Sequence, residues 1–561
     1  MAVSPTKVSS MENLVPEETY RKSKQAYIKI VAALFIACVI AVVMTCLFAW
    51  KISEDTTSAP AKSSPVRGVQ TNNDFCPGLP PILPKLPSPL PEELQASLRT
   101  FSTYLGNLVQ ENGLPAISAN AYYKDSILWK GHYGRKTLDG ERPDDTTRYR
   151  IGSISKIFPV LMVYMLYEQG IISSIDDPLN KYVPDFVINN PFTNESITLR
   201  QIMNQLSGLP REAPCVLCNR NETTEEQLMF LKNQSLVVDP GTVPSYSNLG
   251  YALLGRLFTE RVIKNTTFEE WTKDNILSPL GLNHTGFSFT SDVKKNMAFP
   301  YDKQGQLLPI LNIGWLSPSG QMYSTIEELA RVGMFLMGSK KSDKIGIKQS
   351  SLREMLAPSY VAPDGLTMWG SPWEIFLREH FIIRTKGGSI DGMSAMMVVI
   401  PEVKLGFNVF LSAVANFSVG ALIGNTITDR FIKDFLPVFN STLFTINEEG
   451  DFPVKPKLYT GTYNITRVNI YAPTDKILNY QATITASGSK LIYKDNGGFP
   501  EVSLYYIGYE LILQGKVFSS SCFTQRMGTV SAFHFKPAGA DGLSPGFAVP
   551  QMGISSVRVS V

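Results

Sequence analysis

A serine and a lysine stand three residues apart where a long apolar segment begins. Ser153 and Lys156 open the run IGSISKIFPVLMVYMLYEQG, residues 151–170. Residues three apart on a helix share a face, so the hydroxyl and the amine can touch. The first turn of a helix also leaves backbone N–H groups free to stabilise an oxyanion. The pair predicts a nucleophilic serine with a lysine base, provided that burial and nearby positive charge lower the pKa of the amine.

The same spacing occurs elsewhere, so it gains meaning only from its surroundings. S-x-x-K patterns also stand at Ser4–Lys7, Ser291–Lys294 and Ser487–Lys490. For a single match, a helix cap beside a surface lysine is the more common explanation. Two further segments distinguish the match at Ser153, because Tyr246-Ser-Asn248 precedes another apolar helix and Lys386-Gly-Gly388 ends a predicted strand.

The three motifs in this order, S-x-x-K, Y-x-N and K-x-G, resemble those of the serine β-lactamase and penicillin-binding-protein superfamily. The fitting branch comprises class C β-lactamases, low-molecular-weight D-alanyl-D-alanine peptidases and related esterases. The resemblance covers residues 95–437 and includes ITLRQIMNQLSGLP, PSYSNLGYALLG, ILSPLGLNHTGF and MYSTIEELARVGMFL. Such a set of motifs in order is far more specific than any one of them.

The resemblance implies a role for each matching residue. Ser153 would be the nucleophile that forms an acyl-enzyme, and Lys156 and Tyr246 would share the proton transfers. Asn248 would place Lys156 and the substrate amide. Ionising a phenol near pH 7 requires about 4 kcal/mol, which two nearby ammonium groups can supply in a site of low dielectric constant.

The third motif would line the far wall of the cleft. Lys386 would hold Tyr246 near its anionic form, Gly388 would border the substrate, and the backbone N–H groups of Ser153 and Ser389 would form the oxyanion hole. Gly387 departs from the pattern, because the family usually has a threonine there that helps to bind a substrate carboxylate. The resemblance therefore does not carry penicillin-like recognition over to this chain. Asn204-Gln-Leu206 is a second departure, since THT commonly precedes S-G-L.

Other patterns with chemical potential fit their surroundings less well. The G-x-S-x-G pattern at residues 542–546 lies in a Gly- and Pro-rich tail without a βαβ framework, and it predicts a loop. The chain has four histidines, His132, His284, His380 and His534. They show no triad or metal spacing, so a structural role is predicted, although His380 is close enough to the third motif to reach the rim of the cleft. No metal and no cofactor is implied.

These site residues need a fold that brings three distant segments together. The runs AISANAYY and SILWKGHYG predict two early strands, and HFIIRTK, SAMMVVI and LGFNVFLSAV predict three late ones, with mainly helical sequence between them. A helix closed by Gly113 precedes the strands, and a last helix is expected to end before Pro437. Segment 93–437 therefore predicts one antiparallel sheet with an inserted helical lobe and a ligand cleft between them. This is the β-lactamase/transpeptidase-like α/β (α+β) fold that the resemblance implies.

Segment 438–561 changes character to short β-rich runs separated by turn residues. It predicts a separate all-β module, a small barrel or a sandwich, and its opening LYTGTY resembles the lipocalin-like modules that some family members carry. An apolar cavity inside this module would indicate a lipid or other partner, whereas a packed interior would speak against a lipid ligand.

The N-terminal part of the chain predicts a membrane anchor. Residues 30–50 contain no charge and are about long enough to cross a bilayer, and cationic residues precede them within the tail 1–29. The charge bias predicts a type II signal anchor with a cytoplasmic N-terminus. The alternative is a cleaved signal peptide, which has a shorter apolar region. Residues 51–92 are Pro-rich and predict an extended stalk, or alternatively an ordered strap on the domain.

Sequons and cysteines agree with an outward-facing domain. All eight N-x-[ST] sequons follow the predicted anchor, at Asn194, Asn221, Asn233, Asn265, Asn283, Asn416, Asn440 and Asn464. Four cysteines outside the anchor, Cys76, Cys215, Cys218 and Cys522, permit two disulfides with three connectivities. The pair at Cys215 and Cys218 lacks the second half of a zinc site, which favours a local bridge or structural thiols.

The net charge of +3 and the lack of a basic stripe exclude a nucleic-acid partner. The sequence thus predicts a membrane-anchored serine hydrolase, extracellular or lumenal, that acts through an acyl-enzyme on a small-molecule or peptide ester or amide. The alternative is a binding or scaffolding protein that keeps the fold without turnover.

Overall fold

The computed structural model describes residues 80, 82–137, 140–213, 221–301, 306–338, 342–412, 417–468, 477–498, 501–507, 512–516 and 531–560. The predicted cytoplasmic tail, the predicted anchor, most of the predicted stalk, Asn416 and all six cysteines lie outside these residues. Within the described ranges, no helix combines the length and the apolar character that a membrane span requires.

An antiparallel sheet of eight strands forms the centre of the larger domain. Its strands are β1 Ala116–Tyr123, β2 Ser126–Gly134, β5 Tyr360–Val361, β6 Thr367–Trp369, β7 Glu374–Arg378, β8 Phe381–Ile390, β9 Met393–Ile400 and β10 Leu405–Ser412; β3 Arg148–Arg150 and β4 Tyr323–Thr325 form a separate pair. Their order is β2-β1-β10-β9-β8-β7-β6-β5. Because β1 pairs with β10 along its whole length, the sheet is assembled from both ends of the segment, as predicted. The sequence does not predict β5 to β7, which extend the sheet beyond β8.

Helices cover both faces of this sheet. The α-helices are α1 Glu92–Asn112, α2 Ile157–Glu168, α3 Leu179–Tyr182, α4 Leu199–Met203, α5 Thr224–Leu231, α6 Asn248–Leu257, α7 Phe268–Thr272, α8 Ser278–Leu280, α9 Ser291–Lys295, α10 Ser317–Gly320, α11 Ile326–Leu336, α12 Gln349–Met355 and α13 Phe417–Glu449. The 3₁₀ segments are Gly152–Lys156, Gly314–Leu316, Ser342–Ile345, Pro456–Leu458 and Pro550–Met552, and the π segments are Phe258–Ile263 and Lys273–Leu277. Residues 157–166 of α2 are all buried, as expected of a helix that is apolar all round.

Helices α1 and α13 pack together on one face of the sheet. Phe431 of α13 stacks on Phe407 of β10 with ring centroids 4.1 Å apart, and Phe101 of α1 meets both rings edge-on. Gly113 ends α1 in a left-handed conformation, which confirms the predicted helix end. This face builds a core that supports the strands without contributing any of the predicted site residues.

The predicted end of the last helix is wrong, because α13 continues through Pro437 to Glu449. Proline removes one backbone hydrogen bond from a helix interior. Here Phe435, Phe439 and Leu443 are buried on both sides of it, and this packing outweighs the loss. The predicted domain boundary at 437/438 therefore falls inside a helix.

The end of the Pro-rich segment is an ordered strap rather than a free stalk. Leu83, Leu86 and Leu90 pack against the core between α1, α13 and the sheet. The Tyr123 hydroxyl donates to the Pro84 carbonyl at 2.6 Å, and the Asn447 amide donates to the Ile82 carbonyl at 2.9 Å. The stalk prediction is thus corrected for residues 82–91.

The C-terminal module is a closed antiparallel barrel, which confirms the all-β prediction. Its strands are β11 Gly461–Arg467, β12 Leu478–Ser487, β13 Lys490–Asp495, β14 Val502–Tyr506, β15 Ile512–Lys516, β16 Ser531–Phe535, β17 Phe547–Val549 and β18 Ile554–Ser560. Phe547 contacts the rings of Tyr463, Phe533 and Phe535 at centroid distances of 5.1, 5.3 and 5.0 Å. These rings pack against one another in the core of the module, among the residues that the structure describes.

Candidate active site

Ser153 lies on a 3₁₀ turn that leads directly into α2. The turn spans Gly152–Lys156, so the serine precedes the α-helix rather than opening it. Gly152 has φ +48°, and a Cβ there would lie 2.8 Å from the backbone nitrogen of Ser389. The glycine therefore allows β8 to pack directly against the turn that carries Ser153.

Lys156 is fully buried beneath Ser153, and three acceptors surround its ammonium group. The Nζ atom lies 2.9 Å from Ser153 Oγ, 2.7 Å from Asn248 Oδ1 and 2.7 Å from the Ser319 carbonyl oxygen. Burial lowers the pKa of the Lys156 amine to about 8, with the nearby Tyr246 opposing this shift and the charge of Lys386 reinforcing it. The amine is thus tuned toward the neutral form that a base requires.

Tyr246 approaches the same serine from a different segment. Its hydroxyl lies 2.7 Å from Ser153 Oγ, and its ring centroid is 5.0 Å from Lys156 Nζ and 5.4 Å from Lys386 Nζ. Burial alone would raise the pKa of the phenol, but the two ammonium groups outweigh it and the net direction is down. Asn248 begins α6, which Ser247 caps by accepting from the Gly250 N–H at 3.1 Å.

The third motif lies near the C-terminal end of β8. Lys386 is 1% exposed and forms an ion pair with Glu374 of β7. Burial disfavours its charge, but Glu374 and Tyr246 outweigh burial and raise the pKa of Lys386. Gly388 lies so close to the serine turn that a Cβ there would be 2.0 Å from the Ile151 carbonyl oxygen and 2.6 Å from the Ser153 nitrogen. The backbone nitrogens of Ser153 and Ser389 thus lie on either side of the point where Gly388 of β8 approaches the serine turn.

The structure brings together all the residues that the sequence predicts for the cleft: Ser153, Lys156, Tyr246, Asn248, Lys386, Gly388 and Ser389. Two carboxylates beside them escape the sequence analysis. Glu374 pairs with Lys386, and Glu212 accepts from the Asn248 amide at 2.7 Å. Recognising β7 as the neighbour of β8 would have revealed Glu374, whereas Glu212 lies in an irregular segment that carries no sequence signal.

Gln205 is a further residue of the site, within the departure noted at Asn204-Gln-Leu206. It has φ +65° and is 1% exposed. Its side-chain Oε1 accepts from the Ser247 N–H at 2.7 Å, and its carbonyl accepts from the Ser245 N–H at 2.8 Å. These two bonds flank Tyr246 in the chain and hold the segment that presents the phenol.

The competing serines do not form a second site. Ser118 makes a triad-like chain, 2.9 Å from His132 Nδ1 with Asp145 Oδ1 3.0 Å from His132 Nε2, but Ser118 is 1% exposed and cannot meet a substrate. Ser544 of the G-x-S-x-G pattern is buried in a loop, where its hydroxyl donates to the carbonyl of Lys536 at 2.7 Å. The loop prediction is confirmed.

The remaining histidines also lie away from the serine. His284 contacts Glu328 at 3.2 Å, and His534 is exposed on the barrel strand β16. His380 precedes β8, six residues from Lys386 or about 20 Å along an extended strand. His380 therefore lies apart from the third motif along this strand.

Comparison with known proteins identifies the family of this chain. A family model described as Beta-lactamase matches residues 101–422, more than half of the chain. The chain belongs to the beta-lactamase family. This membership and the fold below confirm the sequence-based resemblance, and the family's members are typically serine hydrolases.

Relatives within the beta-lactamase family include two curated eukaryotic proteins. The human protein "Putative beta-lactamase-like 1" is 36% identical over 348 residues, which are 60% of this chain and 69% of that protein. "Beta-lactamase-like protein 2" of Dictyostelium discoideum is 30% identical over 396 residues, 66% of this chain and 69% of that protein.

Solved structures show the same fold. The octameric penicillin-binding protein homologue of Pyrococcus abyssi superposes with a TM-score of 0.51 at 21% identity, covering 78% of this chain and 96% of that one. A class C beta-lactamase of Rhodobacter sphaeroides has a TM-score of 0.51 at 18% identity, covering 62% and 99%. At these identities the likeness establishes the fold alone.

Proposed function

We propose that this chain is a serine hydrolase that acts through an acyl-enzyme on an ester, amide or peptide bond. The observation that carries the proposal is the position of one hydroxyl between two proton-transfer groups. Ser153 Oγ lies 2.9 Å from the Lys156 amine and 2.7 Å from the Tyr246 phenol. Both groups have a lowered pKa, which suits them to accept a proton near neutral pH.

The reaction would proceed in two halves. Ser153 Oγ attacks the substrate carbonyl carbon, and its proton passes to Tyr246 or Lys156. The backbone N–H groups of Ser153 and Ser389 donate to the oxyanion that forms. When the tetrahedral intermediate collapses, the bond to the leaving group breaks and the same proton is delivered to it. Water then attacks the acyl-enzyme by the same route, which releases the acid and restores Ser153.

Asn248 and Lys386 would act by holding the proton-transfer groups in place. The side-chain oxygen of Asn248 accepts from Lys156 while its amide donates to Glu212, so the orientation of the amide is fixed from both sides. Lys386 adds a buried positive charge beside Tyr246. These contacts support catalysis over the alternative of an inactive binding protein, since a drifting site loses such pairs readily.

We further propose that a type II signal anchor holds the catalytic domain on the extracellular or lumenal side of a membrane. The uncharged run 30–50 and the cationic residues before it support this topology. The exposed positions of six sequons, at Asn194, Asn221, Asn233, Asn265, Asn283 and Asn464, are compatible with glycans. Asn440 differs, because it is half-buried within α13. The hydroxyl of Thr442, the third residue of its sequon, donates to the Val438 carbonyl at 2.9 Å.

A fluorophosphonate probe tests the hydrolase proposal. The purified ectodomain, residues 82–561, is treated with the probe alongside Ser153→Ala and Ser544→Ala, and the unfolding temperature of each is measured. We expect labelling of the wild type and of Ser544→Ala and none of Ser153→Ala. Equal labelling of all three proteins would place the nucleophile elsewhere, and no labelling of any folded protein would favour the inactive alternative.

A further inference from the structure

The side of the cleft that carries Lys386 is not purely cationic, because it also carries the carboxylate of Glu374. Glu374 on β7 pairs in register with Thr385, the residue before Lys386 on β8. Its Oε1 accepts from the Lys386 ammonium, and its side chain is 32% exposed. Among the residues that the structure describes, none donates to Oε2, the second oxygen of this carboxylate.

Two other cations lie beside the serine, Lys156 and Arg211, and neither forms an ion pair with Glu374 among the described residues. In its charged form Lys156 has three N–H donors, and Ser153, Asn248 and the Ser319 carbonyl accept from them. Arg211 is exposed with its guanidinium 5.0 Å from the centroid of the Tyr246 ring, and within the described part of the chain no ion pair joins it to Glu374. Gly387 places no hydroxyl beside Lys386 that could receive a carboxylate oxygen.

We infer that Glu374 is a specificity-determining residue, which makes this wall accept substrates that are uncharged or cationic beside β8 and reject those that carry a carboxylate there. The inference rests on the proposed hydrolase function and names the substrate class for it. A substrate anion next to Lys386 would also meet the negative charge of Glu374, whereas a substrate ammonium group would be attracted to this partly exposed carboxylate.

Three aryl acetates that differ only in the meta substituent test the inference on the ectodomain. They are 3-tert-butylphenyl acetate (neutral), 3-(trimethylammonio)phenyl acetate (cationic) and 3-carboxyphenyl acetate (anionic). The values of kcat/KM for the charged esters are divided by that for the neutral ester in wild type, Glu374→Gln and Glu402→Gln. Glu402 is the matched control, because it forms an ion pair at 2.6 Å with Arg384, which lies on β8 like Lys386. No hydrogen bond or ion pair joins Glu402 to the cleft residues within the described part of the chain.

In Glu374→Gln we expect the anionic-to-neutral ratio to rise about tenfold and the cationic-to-neutral ratio to fall about tenfold. The Glu402→Gln ratios should stay within about twofold of the wild type. If Glu374→Gln leaves the ratios unchanged while Ser153→Ala abolishes hydrolysis, this inference is overturned and the proposed function stays intact. No hydrolysis of any ester above the Ser153→Ala level would count against both.

A second measurement needs no variant of Glu374. Phenyltrimethylammonium and benzoate are compared as protectants of the wild type against the fluorophosphonate probe. Protection by phenyltrimethylammonium at a concentration about tenfold below that of benzoate is expected. Protection by benzoate at the lower concentration would overturn the assignment of Glu374.

Discussion

Replacing Gly388 by alanine should separate the β8 wall from the nucleophile turn. The added Cβ would lie 2.0 Å from the Ile151 carbonyl oxygen and 2.6 Å from the Ser153 nitrogen. Carbon–oxygen contacts are ordinarily about 3.3 Å or longer, so β8 or the turn must move by about 1 Å. A displacement of this size at a reacting centre costs about 100-fold in rate, or about 2.7 kcal/mol of transition-state stabilisation.

The neighbouring glycine provides the matched control. A Cβ at Gly387 would meet only the terminal Cε of Met396, at 3.2 Å, and this flexible side chain can move aside. The assay is the second-order rate constant of fluorophosphonate labelling, with circular dichroism and the unfolding temperature as a check on folding. Gly388→Ala should label about 100-fold more slowly and Gly387→Ala within about threefold of the wild type. A folded Gly388→Ala protein that labels at the wild-type rate would refute the assigned geometry of the oxyanion hole.

Three further predictions concern the pH dependence of labelling, the stability of the core and the sites of glycosylation. Lys386→Met should shift the pH midpoint of labelling to more alkaline values. Burial lowers the pKa of the Lys156 amine to about 8 and the charge of Lys386 lowers it further, so removing that cation lets the pKa of Lys156 rise. A midpoint that moves toward acid would contradict this reasoning. Phe431→Ala should lower the free energy of unfolding by about 3–5 kcal/mol in denaturant titration, since it removes a buried ring from the face of the sheet; a loss below about 1 kcal/mol would show that this core is loosely packed. Expression in mammalian cells should give glycosylation at the exposed Asn233 and none at the half-buried Asn440, read by mass spectrometry after deglycosylation; occupancy of Asn440 alone would oppose the described burial.

The sequence identifies the motif residues that the structure places around Ser153, because three short motifs in a fixed order constrain one another. Ser153, Tyr246 and Lys386 are each ambiguous alone and specific together. Five long strands of the sheet can also be predicted, since their apolar runs are long enough to be distinguished from loops. The many short β-rich runs after residue 450 predict an all-β module but leave a barrel and a sandwich open, and the structure decides for the closed barrel.

Features that depend on tertiary packing are beyond the sequence analysis. Strand β7 contains only five residues, EIFLR, so nothing in the sequence reveals that it lies beside β8 and brings Glu374 to Lys386. Pro437 is a helix-stopping signal that packing on the sheet overrides. The leucines of the Pro-rich strap show no strand or helix period, and only the finished core explains why they are buried there.

The most direct test of the central claim is to locate the acyl group during turnover. The ectodomain is mixed with 3-tert-butylphenyl acetate, quenched in acid within the first turnover, digested and analysed by tandem mass spectrometry. We expect an added acetyl group on Ser153 that is absent from Ser153→Ala. Release of product with the acetyl group on another residue, or with no acylated peptide at any quench time, would contradict it.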